Sequence, residues 1–90
     1  MPENSEATIT LAGDLHARPA GALAVAAAKF TSSVELTVGA SRADAKSVLA
    51  VMGLGASSGQ QVTVRAAGPD AEKAVETLIG ILSAVSKVGE

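Results

Sequence analysis

Ninety residues with a net charge of −2, 48% apolar side chains and no cysteine read as one domain, 1–90, without disulfides or thiolate chemistry. The weakly acidic balance supplies no basic field, which argues against nucleic acid as a partner. A single histidine and no clustered carboxylates give a metal almost nothing to bind, and no apolar run is long enough to span a bilayer.

The N-terminal residues Met1–Glu6 have neither the basic nor the apolar part of a signal peptide, so the chain reads as soluble and cytoplasmic. Alternation begins near Thr8, with Ile9 and Leu11 opposed to Thr8 and Thr10, which predicts a first strand. Residues 17–30 predict a helix; they are so rich in alanine that only Leu23, Ala27 and Phe30 mark a buried stripe. Val34, Leu36 and Val38 opposite Glu35 and Thr37 predict a second strand, and a turn at Gly39-Ala40 leads to a weaker strand near Ser41 to Asp44. Residues 47–54 suit a short helix ending at Gly53 to Gly55, with Val51 and Leu54 inward and Val48, Leu49 and Met52 outward. Val62, Val64 and Ala66 opposite Thr63 and Arg65 predict another strand.

Gly68-Pro69-Asp70 starts the last helix, with Asp70 and Glu72 in its positive first turn and Ala71, Val75, Leu78, Leu82 and Val85 as the buried stripe. The order is β-α-β-β-α-β-α. One apolar face per strand favours an antiparallel sheet, and every helix must then cover that same face. Phe30 is the only aromatic residue, so the core is built from Leu, Ile, Val and Ala.

Leu15-His16-Ala17-Arg18-Pro19-Ala20 places the lone imidazole just before the first helix. Imidazole can act as a neutral nucleophile and then carry charge, a guanidinium binds phosphate oxygens, and proline suits a first helical turn. Free amides and the positive helix end favour an incoming anion. No water-activating base or metal accompanies the histidine, so carrying a phosphoryl group fits better than hydrolysing one. Taken alone, this spacing describes an ordinary polar helix-start residue more often than a site, and Arg18 an ordinary surface cation. Ser47, preceding a short apolar helix, reads as an N-cap.

From about Ala7 to Val85 the chain resembles HPr, the histidine-containing phosphocarrier family of the bacterial phosphotransferase system. Leu15-His16-Ala17-Arg18-Pro19-Ala20 is similar to the family's active-site motif, and Lys46-Ser47-Val48-Leu49-Ala50-Val51-Met52-Gly53-Leu54-Gly55 to its second signature. The resemblance implies an α+β open-faced β-sandwich, four antiparallel strands with three helices on one face, and a carrier that is not an enzyme and needs no cofactor. It implies phosphorylation of His16 on a ring nitrogen by Enzyme I, with phosphoenolpyruvate as ultimate donor, and transfer to Enzyme IIA components for sugar uptake. Arg18 would contact the phosphate, and Ser47 would be a regulatory phosphorylation site for an HPr kinase/phosphorylase, with a catabolite-control regulator as a further partner. Ala17, Gly21, Val48, Leu49, Met52, Gly53, Gly55 and Ala56 would form the docking surface, and a shuttle is expected to be monomeric.

Departures from the family are Asp14 in place of glycine, Val25, Ala28 and Ala50 where many relatives carry lysine, and Gly39-Ala40-Ser41 in place of an Asn-Gly turn. Besides a purely structural or scaffold protein, for which the His16-Ala17-Arg18-Pro19 run is coincidence, two other readings stay open at this point. One is a dedicated carrier for a dihydroxyacetone kinase or nitrogen-regulatory system. The other is a ferredoxin-like metabolite-binding module in which His16 has no role.

Overall fold

A computed structural model describes residues 3–85, so residues 1–2 and 86–90 of the expected 1–90 domain lie outside the described residues. The elements are β1 (Glu3–Thr10), α1 (Ala17–Ala27), β2 (Ser33–Val38), β3 (Ser41–Asp44), α2 (Val48–Gly53), β4 (Gln61–Gly68) and α3 (Ala71–Ser83). Every strand pair is antiparallel, in the order β1-β4-β2-β3. A ferredoxin-like split β-α-β unit requires parallel strands joined by a crossover, so that alternative is excluded.

Period-two alternation places Val34, Leu36 and Val38 of β2 and Val62, Val64 and Ala66 of β4 on the buried face, as the pattern predicts. The amphipathic α3 lies over β1 and β4, α1 packs beside α3 and α2, and α2 borders β3. Leu11, Leu23, Leu36, Leu78 and Leu82 are its largest buried aliphatic side chains. The opposite sheet face is polar: Thr8 and Thr63 share a 2.8 Å hydrogen bond, and the Arg65 guanidinium meets the Glu6 carboxylate at 2.9 Å.

Three boundaries differ from the sequence pattern. β1 starts at Glu3, because Glu3–Glu6 pair with Arg65–Gly68 although they carry no apolar alternation. α1 ends at Ala27 rather than continuing to Phe30; its last amides tighten to Lys29 N–Ala26 O and Phe30 N–Ala27 O, so Phe30 reaches the core from a turn. α3 closes at Ser83, and Val85 is buried beyond it. The β2–β3 connection is a two-residue loop, Val38 facing Ser41, with positive φ at Gly39 alone, the pattern of a type II′ turn.

Asp70 occupies the N-cap of α3, yet its side chain makes no bond to that helix. It reaches back to the α1–β2 loop, accepting from the Thr31 amide at 3.0 Å, the Ser32 amide at 2.9 Å and both hydroxyls, while the Ser32 hydroxyl accepts from the Asp70 amide at 3.1 Å. The Ser32 hydroxyl foremost, and the Thr31 amide next, hold this carboxyl well below its ordinary 3.8, at about 2. A depressed folded-state value gives stability that is complete above 3.8 and lost as pH falls through about 2. Thermal melts across that acid window should therefore decline more steeply for the native chain than for Asp70→Asn; parallel declines would refute the linkage.

Candidate functional site

The site is built at the N-terminus of α1. His16 is its N-cap, with extended backbone (φ −78°, ψ −177°), and its carbonyl receives the Ala20 amide at 3.0 Å. The imidazole makes no cap bond, is exposed, and has no hydrogen-bond partner among the described residues. The amides of Ala17 and Arg18 likewise have no partner among the described residues, and Pro19 has no N–H to satisfy. Pro19 is buried, so it fixes the first turn against the core while the flanking His16 and Arg18 face solvent. An exposed ring, an exposed guanidinium and two free amides at a positive helix end can receive an anion without displacing any internal bond.

Leu15 anchors the residue before the ring. Its side chain is buried and its amide donates to the Ala56 carbonyl at 2.9 Å. The preceding chain is laced to the α2–β4 loop by Leu11 N–Gln60 O and Gly59 N–Leu11 O, both 2.9 Å. Ser58 adds two bonds, its hydroxyl to the Ala12 carbonyl at 3.1 Å and its amide to the Asp14 carboxylate at 2.8 Å. Asp14 thus spends its carboxylate on a loop contact. Sequence reading singled out Asp14 but not Ser58; the only signal was a small polar Ser57-Ser58-Gly59 loop.

α2 sits beside α1. Ser47 is its N-cap, the hydroxyl accepting from the Ala50 amide at 3.2 Å, in the capping role its position predicts. Val51 is buried and Leu54 partly so, whereas Leu49 is 82% exposed, Met52 42% and Val48 38%. Val25 on α1 is exposed as well. Ala17, Gly53 and Gly55 are exposed and Gly21 half-buried, with open space where a Cβ would point at Gly21, Gly53 and Gly55. Ala56 departs from the expected docking set: it is 3% exposed and packed in the core, with its carbonyl accepting from the Leu15 amide.

Fold and site together define the class, a small open-faced sandwich presenting one imidazole at a helix mouth, the build of a phosphocarrier. The family model for the PTS HPr component phosphorylation site matches residues 4–84. A histidine-containing phosphocarrier protein from Mycoplasma is 33% identical, with 88% of this chain and 90% of that one covered and a TM-score of 0.77. The phosphocarrier protein HPr from Bacillus anthracis is 27% identical, with 91% and 98% covered and a TM-score of 0.79. An HPr dimer from Thermoanaerobacter tengcongensis is 37% identical over 74% of this chain and 77% of that one, with a TM-score of 0.69, so a monomer does not follow from the fold. The chain belongs to the HPr family of the phosphotransferase system, phosphocarriers rather than catalytic enzymes. No described helix is long and apolar enough to cross a membrane.

Proposed function

We propose that this chain is a general cytoplasmic phosphocarrier that receives a phosphoryl group on His16 from phospho-Enzyme I and delivers it to Enzyme IIA domains for sugar uptake. The observation that carries this reading is the exposed imidazole at the α1 N-cap, unengaged and next to two free amides. A lone pair on a ring nitrogen attacks phosphorus, the new P–N bond forms as the donor's bond to phosphorus breaks, and the ring keeps its other N–H. Negative charge then lies at the positive helix end beside Arg18, so positioning and electrostatics support the transfer. Because the phosphoryl group stays at the surface, the next partner can reach it.

Leu49, Met52 and Val48 would dock the partners; an adaptable methionine suits one carrier meeting several surfaces. Phosphorylation of Ser47 by an HPr kinase would add nearly two negative charges beside this patch and oppose docking of acidic partners. Val25, Ala28 and Ala50 stand where many relatives carry lysine, so apolar contact would carry more of the docking here than charge steering. Incubation with phosphoenolpyruvate and Enzyme I, followed by mass measurement, tests the reading. One acid-labile phosphate per chain is expected; no uptake from any Enzyme I would refute it, and uptake without onward transfer to an Enzyme IIA domain would refute the delivery step.

A further inference from the structure

Of the bonds that lace residues 11–15 to residues 56–60, one is made by a side chain of the 11–15 segment. Four of the links use the backbone of the 11–15 segment: the Leu11 amide, and the carbonyls of Leu11 and Ala12, and the Leu15 amide. The fifth is the Asp14 carboxylate accepting from the Ser58 amide at 2.8 Å. It lies two residues before His16, between the buried anchor Leu15 and the Gly13 bend. Its backbone is also engaged, since the His16 amide donates to the Asp14 carbonyl at 3.1 Å. One residue therefore ties its side chain to the α2–β4 loop and its carbonyl to the amide of the imidazole-bearing residue.

We propose that Asp14 and Ser58 form a strap that positions His16 for phosphoryl transfer, with Asp14 a positioning residue acting through a hydrogen bond and not through its charge. This rests on the carrier reading above. Charge alone would act the other way: a carboxylate two residues from an incoming phosphoryl group repels it, so local electrostatics would not favour an acidic residue there. The Asp14 side-chain oxygen, however, accepts from the Ser58 amide at 2.8 Å, a bond that a neutral amide oxygen at the same position can also accept. Without the strap, the segment between Ala12 and Leu15 keeps only backbone ties on either side. The ring then samples more orientations, and small misplacements of a reacting group are costly in rate.

The test compares Asp14→Ala, which removes the acceptor, with Asp14→Asn, which keeps a side-chain oxygen and removes the charge. In steady-state transfer from phospho-Enzyme I with the carrier as the varied substrate, kcat should fall about ten-fold for Asp14→Ala with KM little changed, because the patch around Leu49 is untouched. Asp14→Asn should recover most of that loss. In the unphosphorylated protein, Asp14→Ala should speed hydrogen exchange at the Ser58 amide and lower the NMR order parameter of the His16 ring, and Asp14→Asn should do neither. Native kcat in Asp14→Ala overturns the strap, and so does an equal loss in both variants, which would assign the effect to charge. If the native chain accepts no phosphate at all, the carrier reading fails, while the Ser58 exchange and His16 ring order still decide whether the strap positions the ring.

Discussion

Replacing His16 with asparagine should give a protein that melts slightly higher than the native chain and takes up no phosphate. The N-cap position favours Asn, Asp and Ser because a short side-chain acceptor can satisfy an orphan amide of the first turn. His16 has the extended cap backbone but makes no such bond. At this helix the third position is Pro19, which has no N–H, so an asparagine oxygen would have to take the Arg18 amide. A single cap bond at an exposed end is worth about 0.5 kcal/mol here, at the low end of measured caps, or about 3 °C in Tm for a chain of this size. Alanine at the same position should be equally unable to accept phosphate and should show no gain in Tm. Differential scanning calorimetry and the phosphate-uptake assay, run on both variants, check the pair. A lower Tm for asparagine would mean that the ring supports the fold, and residual acid-labile phosphate would mean that the acceptor lies elsewhere. A helix start that forgoes its best cap in favour of an unengaged imidazole breaks a local rule at the proposed phosphoryl acceptor.

The place of His16 just before a helix is legible in the chain because it involves residues next to one another. The same holds for most of the architecture. Val34, Leu36 and Val38, or Val62, Val64 and Ala66, declare their buried face by spacing alone, and even the four-residue β3 was marked by the turn before it. Ser47 as a cap and Leu49 and Met52 as the outer side of α2 follow from position on a single turn of helix.

Polar side chains that bind across the fold leave no such period. Asp14 meets Ser58 at a separation of 44 residues, and Asp70 meets Ser32 at 38. Asp70 shows the difficulty plainly: it stands at the start of α3 as its position predicts, but that position gives no sign of the bonds its carboxylate makes to Thr31 and Ser32. Ala56 shows another: a small residue beside a glycine-rich loop carries no signal that separates a surface from a core, and only the Leu15 contact decides it. Glu3–Glu6 were unreadable as strand because pairing with β4, not burial, holds them there.

Two glycine-to-alanine exchanges, Gly68→Ala and Gly80→Ala, should move stability in opposite directions. Gly68 ends β4 with φ of +143°, a conformation that costs an alanine about 1–3 kcal/mol. Its added Cβ would stand 2.5 Å from the Ser32 Oγ and 2.7 Å from the Ser32 Cα, and overpacking of that kind costs about 1–3 kcal/mol more. Ser32 has no room to retreat: it is 1% exposed, and its amide and hydroxyl are both bound to Asp70. The exchange must therefore pull apart the point where β4, the start of β2 and the N-cap of α3 meet. A loss of about 3 kcal/mol is expected, which lowers Tm by about 15 °C.

Gly80 lies within α3 on its exposed side, and its Cβ would meet nothing within 4 Å. There alanine restricts the unfolded chain and raises helix propensity, for a gain of about 0.5–1 kcal/mol. Thermal melts of the two variants give the comparison directly. A Gly68→Ala protein that melts within a few degrees of the native chain would show that the Asp70–Ser32 joint yields easily, and would remove the physical basis for its hold on the start of α3.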